Sequence, residues 1–324
     1  MRNAYAIGLD VGGTRIAAGL VERKGRIVRE VKLSTPKGSG PFAIVDAIVD
    51  AVSEIASGLH PSEIAGVGIG LPAQIDFTRQ SVEFCTNLPL AGIDMRGLVM
   101  SRLKYPVTID NDGNTAALGE SRYGAAKGIK DFVMITLGTG VGGGVFIGGK
   151  LHRGSRGFAG EIGHMVIVVD GPECPCGGHG HLESFAARPA IIREARAAAE
   201  TYRGSSMTRL AGGDADGITA EIVIEAANAG DKAAVEVMSH VGDMLGEGLV
   251  GLVNVLNPQA IIVGGGIGES CPMVSERAAG RIAAEALAGR RDVRVLIAQL
   301  GNDAGVAGAA ALAFDDHDSR EGIH

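Results

Sequence analysis

The sequence predicts an α/β protein made of two similar domains on either side of a cleft. Residues 4–33 place three short apolar runs between tight turns, which is typical of a three-strand meander. Residues 131–151 repeat this order, so that the turn DVGGT of the first block corresponds to TLGTG in the second. Segments with helical patterns follow both blocks, and a chain of 324 residues is long enough for two hydrophobic cores.

Further elements follow the first meander. Residues 42–57 carry apolar side chains at helical spacing and predict an amphipathic helix. Residues 66–76 predict a buried strand that leads into a loop, and residues 106–124 predict a strand, a polar turn and a helix. We interpret the polar turn at 110–114 as the first crossing between the two domains.

The second block continues with helices and two strands. The patterns predict helices at 184–202 and 219–257, a buried strand with a glycine turn at 259–269, and a last strand at 293–300. An alanine-rich helix at 303–314 and a frayed polar tail at 316–324 complete the chain. The predicted domains are therefore an N-terminal α/β domain, residues 1–112 plus about 303–318, and a C-terminal α/β domain, residues 113–302.

Composition and charge argue against several classes of protein. The net charge of −7, without a run of Lys or Arg, argues against a nucleic-acid partner. No apolar segment approaches the length of about 20 residues that spans a bilayer, and the N-terminus lacks the apolar region of a signal peptide. Cys174 and Cys176 are too close for a comfortable disulfide, and Cys85 and Cys271 are isolated, so we expect a cytoplasmic protein without membrane contact.

A candidate metal site lies between residues 161 and 183. The four candidate ligands, which together can bind a tetrahedral zinc ion, are His164, Cys174, Cys176 and His181. His179 is an alternative to His181, and the alternative for the whole set is that these are ordinary histidines, since most histidines bind no metal. Glu161 and Glu183 flank the set, which suggests a metal that holds a substrate-binding loop in place.

Glycine-rich turns are candidate phosphate sites. The residues of the first turn are Asp10, Gly12, Gly13 and Thr14, and those of the second are Gly138, Thr139 and Gly140. Their backbone N–H groups and hydroxyls can donate to an anion, and Asp10 can hold Mg2+ directly or through water. An ordinary glycine hairpin is the alternative for each turn. Two such turns that face each other across a cleft could bind a polyphosphate from both sides.

The segment 110–114, Asp-Asn-Asp-Gly-Asn, is a candidate catalytic turn. A carboxylate here can act as a general base toward a substrate hydroxyl, which Asn111 can position. The alternative is a helix N-cap, for which Asn and Asp are preferred residues. We expect both roles at different positions, with Asp112 catalytic and Asn114 closer to the cap.

Taken together, these motifs resemble the ROK family of sugar kinases and related repressors, over nearly the whole chain. The segments that carry the resemblance are DVGGT at 10–14, NDGN at 111–114, LGTGVGGG at 137–144, GEIGH at 160–164, CPCGGHGHLE at 174–183 and IIVGGG at 261–266. The likeness is strongest to bacterial ATP-dependent glucokinases. It implies a two-domain, actin-like ATPase (ribonuclease H-like) fold with the active site in the cleft between the domains.

The resemblance also implies a role for each matching residue. Asp112 corresponds to the general base that takes the proton of the sugar 6-hydroxyl, and Asp10 with the glycine turns corresponds to the Mg2+ and phosphate sites of ATP. Gly265 and Gly266 correspond to the adenosine side. The residues implied in sugar binding are Asn87, Asn111, Asp112, Glu161, His164 and Glu183. His164 would bind the sugar through one ring nitrogen and a structural zinc ion through the other.

The sequence departs from the family pattern at three positions. His181 replaces the third Cys of CxCGxxGCxE, Arg15 stands where Lys is frequent, and Ala73 follows Pro72 where Gly is common. Ala73 adds a methyl group near the place where the resemblance implies the sugar 6-hydroxyl.

Glucose is the expected substrate, with N-acetylmannosamine, fructose, mannose or allose as alternatives and polyphosphate as an alternative donor. A sugar-sensing repressor is the rival function; since only six residues precede Ile7, we expect no DNA-binding segment ahead of the first glycine turn. We expect a homodimer.

Overall fold

A computed structural model describes residues 3–36, 38–76, 78, 81–287 and 293–322. The chain forms two compact units, one of residues 1–130, 144–160 and 302–324, and the other of residues 131–143 and 161–301. These bounds differ from the predicted division after Asp112, which falls at the first residue of a helix.

The described residues form the following strands and helices. The strands are β1 Tyr5–Val11, β2 Arg15–Glu22, β3 Ile27–Ser34, β4 Ile64–Leu71, β5 Gln74–Ile75, β6 Val82–Phe84, β7 Val107–Asn111, β8 Phe132–Leu137, β9 Val141–Ile147, β10 Lys150–Leu151, β11 Ala260–Gly264 and β12 Arg294–Ile297. The helices are α1 Gly40–Ala56, α2 Met95–Met100, α3 Asp112–Tyr123, α4 Glu183–Ala186, α5 Arg188–Thr201, α6 Ser206–Leu210, α7 Ala220–Asn228, α8 Lys232–Leu256, α9 Gly265–Ser270, α10 Pro272–Glu285 and α11 Ala304–Glu321.

The first sheet has the strand order β3-β2-β1-β4-β7. Strands β1, β2 and β3 are antiparallel neighbours, which confirms the predicted meander, whereas β1, β4 and β7 run parallel. In the parallel register, Asp10 pairs with Gly70, and Gly70 pairs with Asp110. The chain therefore leaves β1 and β7 at the same edge of the sheet.

Helices α1 and α11 cover the first sheet. The buried residues of α1, among them Ile44, Ile48 and Ile55, join the sheet in one apolar core. Helix α11 packs against β1 and β4 with little space between the backbones. A Cβ atom on Gly68 would lie 1.7 Å from the carbonyl oxygen of Ala309, so only glycine permits this approach.

Helix α11 is longer than the sequence pattern predicts. The expected frayed tail at 316–324 is wrong for the described residues, because the helix continues to Glu321. Arg23 donates two hydrogen bonds to Asp318, of 2.9 and 2.8 Å, and its guanidinium lies 4.7 Å from the ring centroid of Phe314. These contacts hold the additional turns of the helix on the first sheet.

The second sheet repeats the order of the first, as β10-β9-β8-β11-β12. This repetition confirms the predicted internal repeat. Strands β8, β11 and β12 are parallel, and Gly264 at the end of β11 pairs with Thr136. Helix α8 packs with α5, α7 and α10. In the part of the chain that is described, no helix is both long enough and apolar enough to cross a membrane.

Candidate active site and metal centre

The candidate general base lies where β7 meets α3. Asp112 is the first residue of α3, where the helix dipole favours a carboxylate, and its Oδ1 accepts a hydrogen bond of 2.8 Å from the Gly113 N–H. The predicted polar turn is wrong because the helix begins directly after the strand. Asn111 is the N-cap and accepts from the Asn114 N–H at 3.2 Å. Asn114, expected near the cap, is instead buried within the helix.

Asn111 also anchors the neighbouring loop. Its Nδ2 donates to the carbonyl oxygen of Ala73 at 3.2 Å, and a second N–H of the amide remains for a substrate. Ala73 is only 5% exposed, so its methyl group is packed inside the protein. The departure from the family pattern at this position therefore adds little surface to the site.

The first glycine turn joins β1 to β2. The Gly12 N–H donates to the Arg15 carbonyl at 2.8 Å, and the hydroxyl of Thr35 donates to the Gly12 carbonyl at 2.6 Å. Burial raises the pKa of Asp10, and the positive charge of Arg15 opposes that shift. A bound cation would therefore favour the ionised form of Asp10.

Two other predicted site residues, Asn87 and Thr14, lie at the β1–β2 turn. Asn87 lies against the turn, since its Cβ is 3.7 Å from the Cβ position of Gly13, and Thr14 is exposed at the tip. Asp10 and Asp110 stand level on strands that are separated only by β4. At the usual strand spacing their backbones are about 10 Å apart. The predicted phosphate turn and the predicted base therefore leave the same edge of one sheet.

The second unit contains two glycine turns that are also neighbours. In the turn between β8 and β9, the Gly138 N–H donates to the Gly140 carbonyl at 2.9 Å. Beyond β11 the predicted glycine turn is instead the start of α9, where Gly265 has a φ of +79°. A Cβ atom there would lie 2.4 Å from the carbonyl oxygen of Leu137. The two backbone segments can meet this closely only because residue 265 is glycine.

A cavity of about 660 Å³ lies between the β8–β9 turn and α5, a size that suits a small molecule. It is lined by Thr139, Arg188, Pro189, Ile192, Arg193, Arg196, Ala197 and Glu200. The Arg188 N–H donates to the Gly138 carbonyl at 3.0 Å, and the guanidinium lies beside Gly266. No sequence motif indicates the α5 residues of this cavity, although Arg188, Ile192 and Arg196 recur at the spacing of one helix face.

The four predicted metal ligands come together in the second unit. One donor atom from each of His164, Cys174, Cys176 and His181 lies within 4.8 Å of the others. His164 Nδ1 is 3.7 Å from Cys174 Sγ, and His181 Nδ1 is 3.3 Å from Cys176 Sγ. The ligands of a tetrahedral zinc ion are about 3.3–3.8 Å apart, given metal–ligand bonds of about 2.0–2.3 Å. The donor set and its spacing therefore fit zinc, and His179 is exposed outside this group.

The loop around these ligands is held by its own backbone. The Cys174 N–H donates to the Gly178 carbonyl and the Gly177 N–H donates to the Cys174 carbonyl, both at 2.8 Å. Burial is the main cause that raises the pKa of the Cys174 thiol to about 11. A metal ion that binds this sulfur must therefore displace its proton at neutral pH.

The predicted sugar-binding residues of this unit adjoin the metal ligands. His164 ends a short 3₁₀ turn, and its Nε2 lies 3.9 Å from Glu161 Oε2, on the opposite side of the ring from Cys174. Glu183 accepts the Val141 N–H at 2.9 Å through Oε2, while its Oε1 is 3.8 Å from Cys174 Sγ. Glu183 thus joins the metal loop to the β8–β9 turn, and its oxygens have further lone pairs for a ligand.

Comparison with known proteins agrees with these features. A glucokinase from Streptomyces coelicolor is 40% identical over 95% of this chain and 96% of its own, and one from Halalkalibacterium halodurans is 35% identical over 99% and 98%. The crystal structure of a ROK family glucokinase from Streptomyces griseus, in complex with glucose and AMPPNP, has a TM-score of 0.87 and 38% identity, covering 96% of this chain and 99% of that one. This likeness confirms the predicted actin-like ATPase fold. Residues 6–316 match the ROK family, to which this chain therefore belongs.

Proposed function

We propose that this protein is an ATP-dependent sugar kinase that phosphorylates glucose on its 6-hydroxyl, with Asp112 as general base. One observation carries the proposal: Asp112 and the glycine turn after Asp10 leave the same edge of a single sheet. A kinase needs a base and a phosphate site in a fixed relation, because phosphoryl transfer depends mainly on positioning and charge neutralisation. The similarity to glucokinases supports glucose and ATP as the substrates.

Each unit contributes groups to the proposed reaction. In the first, Asp112 takes the proton of the sugar hydroxyl while that oxygen attacks the γ-phosphorus and ADP leaves. Asn111, Asn87 and the turn residues Gly12, Gly13 and Thr14 position the hydroxyl and the phosphates. Asp10 would hold Mg2+, which neutralises phosphate charge when it is bound.

In the second unit, the β8–β9 turn offers N–H groups to the phosphates, and Glu161, His164 and Glu183 accept or donate hydrogen bonds to the ring hydroxyls of the sugar. We assign the adenosine to the cavity beside Thr139, which is lined by Arg188, whose guanidinium also lies beside Gly266 at the start of α9. Its size suits a nucleoside, and its walls include the aliphatic side chains Pro189 and Ile192.

We also propose a structural zinc ion on the four clustered ligands. Bound zinc would cross-link residues 164–181, so that the imidazole of His164 is fixed through Nδ1 while Nε2 faces the sugar. Zinc uptake by the metal-free protein should release the proton of Cys174, whose thiol pKa of about 11 keeps it protonated at neutral pH. A homodimer completes the proposal, and its mass in solution tests it.

One panel of measurements tests the proposed function. Turnover is measured with glucose, mannose, fructose, allose and N-acetylmannosamine, each with ATP and with polyphosphate. Zinc content is determined on the same sample. We expect glucose with ATP to give the highest kcat/KM and about one zinc ion per chain. Absence of sugar phosphate with every sugar and with both donors, despite measurable sugar binding, would instead identify a sugar sensor.

A further inference from the structure

We infer that Arg153 is a positioning residue for catalysis, which holds Asp112 in place through the buried carboxylate of Asp110. The inference rests on the proposed function, since it assigns a role within that reaction. Neither the family motifs nor the sequence patterns single out Arg153, which lies in the loop after β10.

Asp110 holds the proposed catalytic segment, residues 110–114, in place. It is only 3% exposed, and its two oxygens serve different partners. Oδ1 accepts the Asn111 N–H at 2.9 Å and the Asn114 Nδ2 at 2.9 Å. Oδ2 accepts Nε and Nη2 of Arg153 at 2.7 and 2.5 Å. One carboxylate therefore ties Arg153 to the residues on either side of Asp112.

The first turn of α3 depends on these bonds. Asn114 is 1% exposed, and its Oδ1 lacks a hydrogen-bond partner within the described residues. The hydrogen bond from Asn114 Nδ2 to Asp110 therefore orients this buried amide. Asn111 in turn caps the helix that begins with Asp112. If the carboxylate of Asp110 moved, Asn111 and Asn114 would move with it, and Asp112, which lies between them in sequence, would be displaced.

The positive charge of Arg153 compensates the negative charge of the buried Asp110 carboxylate. An unpaired buried carboxylate is costly, so the Asp110 side chain is expected to turn toward water when its partner is removed. Such a rotation would displace Oδ1 from the groups of Asn111 and Asn114 that donate to it. Displacement of a reacting group by about 1 Å can lower the rate about 10²-fold, which sets the scale of the expected effect.

The loop that carries Arg153 is itself anchored in the first unit. The His152 N–H donates to the Val145 carbonyl at 2.7 Å, and the Ala159 N–H donates to the Arg153 carbonyl at 3.1 Å. Gly157 packs against the backbone of Ile75, with a Cβ position only 2.6 Å from the Ile75 carbonyl oxygen. The Arg153 side chain is 30% exposed. Because its loop is anchored, the guanidinium keeps a fixed direction toward Asp110.

The experiment compares Arg153→Met and Arg153→Lys with Arg156→Met. Arg156 lies in the same loop with its guanidinium 5.5 Å from the Phe158 ring, so its replacement removes the same charge without touching Asp110. For Arg153→Met we expect kcat to fall about 10–100-fold, while the KM values for glucose and ATP change less than about threefold. Arg153→Lys should recover part of that loss, and Arg156→Met should match the wild type.

A double-mutant cycle tests the route through Asp110. If Arg153 acts through Asp110, then Asp110→Asn lowers kcat similarly and the double variant is no slower than the slower single one. The inference would be overturned if the fold-decreases in kcat of the two single variants multiplied in the double variant. It would also be overturned if the kcat of Arg153→Met lay within twofold of that of Arg156→Met. If Arg153→Met unfolds at the assay temperature, Asp110→Asn decides: a folded variant with wild-type kcat overturns the inference, because the proposed route runs through that carboxylate. A wild type that binds glucose without turnover defeats the proposed function instead, whatever the variants do.

Discussion

Replacement of Asp112 by Asn separates catalysis from folding at the proposed base. In the structure, Asp112 Oδ1 accepts the Gly113 N–H at 2.8 Å. Asparagine also has an Oδ1, so the start of α3 keeps this local hydrogen bond in the variant. The lost charge at the helix N-terminus costs about 0.3–1 kcal/mol of stability at a partly exposed position. The fold should therefore survive with a small change in the free energy of unfolding.

The effect on turnover should be much larger. General-base catalysis contributes about 10²–10⁴-fold to rate, which corresponds to about 2.7–5.4 kcal/mol of activation free energy. An amide cannot take the proton from the sugar hydroxyl, so the whole of this contribution is lost. We expect kcat to fall by at least about 10²-fold while the dissociation constant of glucose changes by less than about threefold.

Steady-state kinetics, glucose titration by calorimetry and thermal unfolding of the same preparation make this comparison. Asn111→Asp is not a suitable control, because it would remove the Nδ2 group that donates to the Ala73 carbonyl. Asp94→Asn is matched instead, since Asp94 also begins a helix as the acceptor of a backbone N–H, at 2.8 Å from Gly97. A kcat for Asp112→Asn within tenfold of the Asp94→Asn variant would remove Asp112 from the role of base.

Three further predictions concern the metal site and the first unit. His181→Ala should lower bound zinc well below one equivalent per chain, whereas His181→Cys should retain it; equal zinc in both would show that residue 181 is not a ligand. Arg23 is the main cause that lowers the pKa of Asp318 from 3.8 to about 2, so the pair stabilises the fold fully above pH 3.8 and loses that effect as the pH falls toward 2. The pKa shift sets an upper bound of about 2.4 kcal/mol, but Arg23 is 43% exposed and screening reduces the expected loss in Asp318→Asn to about 1 kcal/mol at pH 7. Urea unfolding at pH 7 and pH 3 measures this loss, which should shrink at the lower pH; a loss that does not shrink would refute the assignment. Gly68→Ala should cost about 3 kcal/mol because its Cβ would overlap an α11 carbonyl, while Gly251→Ala, with open space around its Cβ position, should be neutral or slightly stabilising.

The elements that could be predicted from sequence are those with a strong local period. The meander, helix α1 and the strand β11 each have a repeating apolar pattern, and each is present within a few residues of its predicted bounds. The start of α3 could not be predicted in this way, because polar residues after a strand are equally typical of a turn. What decides the conformation there is the Asn111 cap together with the Asp110–Asn114 bond, which are visible only once the chain is folded.

The same distinction applies to the candidate site. The spacing of CPC and its flanking histidines indicates a metal site, and in the structure His181 joins the cluster while His179 is exposed and pairs with Glu173 in a β-bridge. In contrast, Arg153 carries no local signal, and the helical spacing of Arg188, Ile192 and Arg196 does not by itself indicate that they line a cavity. Their roles come from contacts between segments far apart in sequence, 43 residues for Arg153 and Asp110. Only tertiary structure brings such pairs together.

The position of His164 would explain why the proposed structural metal and the proposed sugar site share one segment. The two nitrogens of imidazole point in different, fixed directions from one rigid ring, so a metal that fixes Nδ1 also fixes the direction in which Nε2 points. Nδ1 lies near Cys174, and Nε2 lies near Glu161, a proposed sugar-binding residue. Glu183 adds a second link, because it lies near the same sulfur and accepts a hydrogen bond from the β8–β9 turn. Loss of the metal would therefore free three proposed ligand-binding groups at once, which should raise the KM for sugar more than it lowers kcat, since Asp112 is held by separate contacts in the first unit.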